Sequence, residues 1–243
     1  MFYRSSYPFV KNHLLLIIAA VLPAAVLMWR VYRADRLEHE SLKLSRRLII
    51  AGCLAMVVSA LVENGLCYLL GFAVAEDTVL YNVITYLGIV AFAEEGTKYW
   101  MLRRRTWRSE EFNCRFDGVV YAVFVSLGFA VLENVCYVLI FGFRTALLRA
   151  ATAVPGHASF GVFMGVFYAL AKKNEIRSNA SASAFYRVLA VLLPALLHGL
   201  YDYIAVQASF YSTWVFVGFI IVLFAVSVVL IGRTSRQDRY FEE

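Results

Sequence analysis

The sequence predicts an all-α, polytopic membrane bundle of about seven transmembrane helices. Composition is the first observation behind this. Of 243 residues, 61% are hydrophobic and 16% are charged, against about 45–50% and about 25% in a soluble domain, and the mean hydropathy is +0.68. Segmentation is the second. Apolar segments recur at 13–30, 48–75, 78–102, 117–141, 145–171, 184–206 and 210–232, most of them close to the roughly 20 residues that a helix needs to cross a bilayer. The third is charge alternation. Connections on one side carry six, five, four and three Lys/Arg, 18 in all, and those on the other carry 4, including Arg4, Lys11, Arg144 and Arg149. By the positive-inside rule the N-terminus is outside and the C-terminus cytoplasmic. These observations exclude a soluble enzyme, a disordered chain and a fibrous repeat. Residues 1–243 read as one integral-membrane domain in contact with lipid.

The first segment, with Leu14–Met28 following Arg4 and Lys11, resembles a signal peptide. Six positive charges directly after it argue for a retained helix. The net charge of +6 reflects this cytoplasmic loop bias, so no nucleic-acid partner is expected. Cys53, Cys67, Cys114 and Cys136 form no CxxC pair, and neither a disulfide framework nor a cysteine metal site is expected.

The second segment carries Glu63, in a Glu63-Asn64 pair that Glu133-Asn134 of the fourth segment echoes. The third carries Glu94-Glu95-x-x-Lys98. Glu94 and Lys98 share a helix face at i, i+4, while Glu95 points about 100° away, toward another helix. In the fourth, Asp117 is expected to cap the helix at the cytoplasmic surface. Glu133 lies 16 residues further on, about 24 Å along the axis and too deep to snorkel. The fifth segment is the least hydrophobic. Its His157, Gly161 and Gly165 fall on one face, and the Gly161-x-x-x-Gly165 pair invites close approach of another helix. The sixth places His198 and Asp202 at i, i+4, and the seventh is uncharged from 210 to 232.

Ionisable groups in mid-bilayer cost about 2.5–3.5 kcal/mol each and mark functional sites. Glu63, Glu94, Glu95, Glu133 and Asp202 face only Lys98 as an intramembrane cation. The surplus negative charge calls for protons, a water-filled cavity or a bound cation. Two His and one Glu can hold zinc with an open position for water, and Glu133, His157 and His198 are the expected set. A further Glu would be the general base. Without metal, Glu and His can activate water directly, with other donors holding the oxyanion. Both routes describe hydrolysis, of a peptide bond in the first instance.

The motifs resemble the PrsW family of intramembrane proteases, relatives of the CAAX-processing and bacteriocin-processing membrane proteases. The resemblance runs from Pro23, Tyr32-Arg33-x-Asp35-Arg36 and Glu38-x-Glu40, through Phe92-x-Glu94-Glu95-x-x-Lys98, to Phe116-Asp117-Gly118-Val119-Val120-Tyr121. It continues with Gly128-Phe129-Ala130-x-x-Glu133-Asn134, His157-x-x-Phe160 and His198-x-x-x-Asp202. Ser41 departs from it, standing where the family often has Pro. The resemblance implies that Glu94 and Glu95 are the family's essential glutamates and His157 its essential histidine. His198 completes the expected catalytic set, with Lys98, Asn134 and Asp202 in support. It also implies a bacterial cell-membrane location and a membrane-anchored protein substrate such as an anti-sigma factor. Zinc is the one cofactor considered.

Two other readings compete. A proton-coupled transporter would use the buried carboxylates, and a bis-histidine haem b protein would use His157 and His198. A retinal protein fails, because 210–232 offers no lysine for a Schiff base. Along their segments, Glu94 falls about 6 Å to the cytoplasmic side of centre and Glu133 about 6 Å to the outer side. This offset would place Glu133 in a substrate cavity unless helix tilt closes it.

Overall fold

The computed structural model describes residues 13–207 and 209–241; Arg4 and Lys11 of the charge census lie outside this range. The described residues form α1 (His13–Ala34), α2 (Leu42–Gly71), α3 (Val79–Val83), a π-helical segment (Ile84–Val90), α4 (Ala91–Thr106) and α5 (Arg115–Phe141). These are followed by α6 (Phe143–Ala151), α7 (Ala153–Ile176), α8 (Ala180–Ala205) and α9 (Phe210–Arg236), with no named strand among them. Among the described residues, six helical segments are long and apolar enough to cross a membrane, α6 and α7 counting as one. The expected third span is the continuous path α3–π–α4, which is outside that set because the π segment divides it into helices of 5, 7 and 16 residues.

The expected span at 145–171 is two helices rather than one. Gly142, at φ 81, ends α5 and opens the nine-residue α6; the chain breaks again at Thr152 before α7. The positive φ is a conformation that glycine adopts without a Cβ clash. The expected capping role of Asp117 also needs correction. Cys114 is the N-cap of α5, and Asp117 is the third residue of a capping box, its Oδ2 accepting from the backbone N–H of Asn113 and Cys114.

α5 is the axis of the bundle. It is buried almost continuously from Phe116 to Ala130 and packs on α1, α2 and α7. Glycines set the spacing on two of these sides. A Cβ on Gly165 of α7 would lie 2.5 Å from Gly118 O and Val119 Cα, and one on Gly161 would lie 3.0 Å from Val123 Cα. The small-residue seam expected from Gly161 and Gly165 is therefore the α5–α7 contact. Gly52 of α2 and Gly128 of α5 make an equally close backbone approach on the other side. Apolar surface goes where lipid is. The α9 window is 17% buried within the protein and the most apolar, whereas the α6–α7 window is 72% buried and the least. α7 can be poor in apolar residues because protein shields it from lipid.

The basic connections gather at one end. Ser41 N–H donates to Glu111 (3.1 Å), Phe241 N–H to Asn113 O (2.9 Å), Trp107 Nε1–H to Glu175 (2.9 Å) and Ser235 Oγ–H to Ala34 O. The loops after α1 and α4 and the ends of α7 and α9 are thereby tied together.

Candidate active site

Lys98 is the centre of a buried polar network. It is fully buried, and its ammonium lies 2.8 Å from Glu95 Oε1, 3.1 Å from Glu94 Oε2 and 3.2 Å from His157 Nδ1. An ammonium has three protons, and here they meet three acceptors. The side chain also lies over the Phe129 ring, 4.0 Å from its centroid. Glu94 is thus held by its i+4 lysine as the spacing predicted, and Glu95 is held by it too.

The neighbouring helices extend the network. His157 is one turn into α7, where Ser126 of α5 donates to its carbonyl at 2.6 Å. Because Lys98 donates to Nδ1, Nε2 carries the ring proton and donates to Glu133 Oε2 at 2.9 Å. Lys98 and the imidazole in series therefore join Glu94 and Glu133 in one network. On α8, His198 Nδ1 lies 3.0 Å from Glu95 Oε1 and 3.8 Å from Glu94, and its Nε2 lies 3.5 Å from Asp202. Phe160 stacks on the His198 ring, centroids 4.7 Å apart.

One participant was not foreseen. By sequence Arg149 is a loop cation, but the break at Gly142 turns α6 back over the site. Its guanidinium donates to Glu133 Oε2 at 2.6 Å and to Asn134 Oδ1 at 2.5 Å. Lys98 is therefore not the sole cation of this network. The sequence signal for Arg149 was slight: a basic residue on the otherwise arginine-poor side, two turns before His157.

These groups surround a cavity of about 410 Å³ lined by Glu63, Glu94, Glu133, Arg149, His157, His198 and Asp202, with Tyr86, Tyr137 and Tyr201 among the aromatic walls. Glu95 stays behind this surface, with no exposed area. The cavity lies toward the end of the bundle opposite the basic connections, near the C-terminal ends of α2, α5 and α8 and the N-terminal end of α7.

The donor atoms of Glu94, Glu95 and His157 lie within 4.8 Å of one another. Glu63 Oε1 and Glu95 Oε2 are buried with no hydrogen-bond partner among the described residues. Five carboxylates face the two cations Lys98 and Arg149 across this region. The Lys98 ammonium already sits among Glu94, Glu95 and His157, so it is the donor chemistry and charge surplus of the cavity wall that fit a divalent metal. Of the expected zinc set, Glu133 and His157 are in contact, while His198 engages Glu95 and Asp202 instead. Both nitrogens of each histidine face a carboxylate or Lys98, an arrangement that gives no support to axial ligation of a haem between them.

Comparison with known proteins gives the family of the chain. Residues 40–231 match the model of a family described as PrsW family intramembrane metalloprotease. The chain is similar to Protease PrsW of Halalkalibacterium halodurans, 32% identical over 92% of this chain and 99% of that one. It is 29% identical to Protease PrsW of Shouchella clausii, over 91% of this chain and 97% of that one. It is 33% identical to Protease PrsW of Geobacillus kaustophilus, over 78% and 79%. No solved structure matches. The chain belongs to the PrsW family of intramembrane metalloproteases and is a multi-pass membrane protein.

Proposed function

We propose that this PrsW-family protease cuts a membrane-anchored regulator, an anti-sigma factor being the expected kind, at a bond near the outer membrane face. The observation that carries this reading is the convergence of Glu94, Glu133, His157 and His198 on one cavity at the end of the bundle away from the basic loops. By the positive-inside rule that end faces outward, so a substrate strand would enter from the outer leaflet side.

Glu94 and Glu95 take different roles. Glu94 reaches the cavity and Glu95 does not. Glu94 is accordingly the general base, taking a proton from the water whose oxygen attacks the scissile carbonyl and passing it to the leaving amide nitrogen. Glu95 is a positioning residue that accepts from Lys98 and from His198 Nδ1, which turns His198 Nε2 toward Asp202 and the cavity. As an imidazolium set between Glu95 and Asp202, His198 carries a proton on Nε2 as well, and that N–H can stabilise the developing oxyanion. Glu133 and Arg149 fix the His157 ring from the opposite side. A divalent metal, zinc being the expected one, would be held on the cavity wall by Glu133 and His157 of the expected set, leaving Glu94 free as the base; it would lower the pKa of its water and polarise the carbonyl.

The test co-expresses the protein with a single-span anti-sigma factor and maps the new termini by mass spectrometry. The expected cut falls at or just outside the outer end of the substrate's span. A cut in the cytoplasmic half of the span would overturn the assignment of this cavity.

A further inference from the structure

A second buried acidic cluster lies at the opposite end of α5 from the active site. Asp35 and Glu40 come from the α1–α2 connection and Asp117 from the first turn of α5. One carboxylate oxygen from each lies within 4.8 Å of the others. All three residues are buried, Asp35 and Glu40 at 5% exposure and Asp117 at 1%.

Several of these oxygens have no partner. Both Oδ atoms of Asp35, Oε1 of Glu40 and Oδ1 of Asp117 are buried without a hydrogen bond among the described residues. The Leu37 N–H is the backbone donor turned toward Asp35. Tyr121 Oη lies 2.8 Å from both Glu40 Oε2 and Glu111 O, and its single proton serves only one of them. No lysine or arginine of the described residues lies within 4 Å of the three carboxylates. His39 is the nearby group that favours a charged Asp35, while Asp238 opposes it. Buried carboxylates are ordinarily paired or coordinate a metal, and three that bring oxygens this close, each with a buried oxygen left unpartnered, offer the donor set of a hard cation. Two oxygens on opposite sides of a cation with ligand distances of about 2.4 Å lie about 4.8 Å apart.

We propose that Asp35, Glu40 and Asp117 form a second cation site, taking a hard divalent ion, Ca²⁺ or Mg²⁺, through carboxylate oxygens. Its ligands come from the α1–α2 connection and the start of α5, so the bound ion would staple the basic-loop end of the bundle. Asp117 and Glu133 are 16 residues apart, about 24 Å along α5. The site is thus separate from the hydrolytic one, and its role would be structural or regulatory. Protons compete with a cation for carboxylate oxygens.

The test is a terbium titration of the detergent-purified full chain, exciting the aromatic residues, with Ca²⁺ and Mg²⁺ as separate competitors and thermal unfolding in parallel. The expected result is saturable emission from one site that His157→Ala leaves in place. Asp35→Asn and Glu40→Gln should each weaken it about tenfold or more, since ligand charge sets affinity in such sites. Ca²⁺ or Mg²⁺ should also raise the unfolding temperature of the unsubstituted protein. Emission that both variants leave unchanged, or that His157→Ala alone removes, would overturn the proposal. So would the absence of any cation-dependent shift in unfolding, a result needing no variant, because protons alone would then hold the cluster.

Discussion

Lys98 shows how much one residue can organise. Its three donors hold Glu94, Glu95 and His157 at once, so it fixes the base, the positioning carboxylate and the histidine relative to each other. Removing one partner from a buried ion pair costs about 3–5 kcal/mol, because the other charge is left uncompensated. Lys98→Met is therefore expected to lower stability by about that amount, as a drop in the midpoint of thermal unfolding in detergent. Glu94→Gln should cost far less, since it keeps the shape and leaves Lys98 its other two acceptors. Equal midpoints for the two variants would contradict this account of the network. The i, i+4 spacing made the Glu94–Lys98 pair legible in the sequence. Arg149 was not legible in the same way, because a cation in a short connection looks solvated until the fold turns it inward.

At the scale of elements, the site depends on how closely α5 and α7 approach. Gly118 and Gly165 let the backbones touch, and Ser126 of α5 bonds the carbonyl of His157. Any side chain at 165 must push the helices apart at that point. Gly165→Val is expected to destabilise the bundle by about 3 kcal/mol and to reduce cleavage along with it, as read by unfolding midpoint and product yield. Unchanged stability would show that the seam does not set the spacing. The seam was readable from Gly161-x-x-x-Gly165, and the poor hydrophobicity of the segment is explained by its burial. The π segment was not readable. It carries an i→i−5 bond from Ala91 N–H to Tyr86 O and packs against Gly199 of α8, whose Cβ would lie 2.7 Å from Leu87 Cα. It also sets the rotation at which α4 presents Glu94 and Glu95, which no period of 3.6 foretells. The split of the fifth span at Thr152 was hidden for a similar reason, because α6 and α7 are both helical and only the turn between them changes direction.

At the scale of the whole molecule, the bundle separates a basic, loop-knit end from a polar cavity at the other end. Hydropathy and Lys/Arg alternation made the helices and their two-sided charge legible. The intramembrane acids and histidines made the candidate site legible as a set. What pattern alone could not supply was convergence. Four helices distant in sequence bring Glu94, Glu133, His157 and His198 to one cavity, and Lys98 with the His157 imidazole links Glu94 to Glu133 despite the depth offset expected between them. Residues that act as one unit lose function non-additively. The central claim is that these helices build one hydrolytic site. Its most direct test is the cleavage rate of a co-expressed single-span substrate by Glu94→Gln, His198→Ala and the double variant, with each protein confirmed folded by its unfolding midpoint. Each single substitution is expected to slow cleavage by about 100-fold or more, and the double variant to be no slower than the worse single one. Full cleavage by either single variant, or losses that multiply in the double, would contradict the claim.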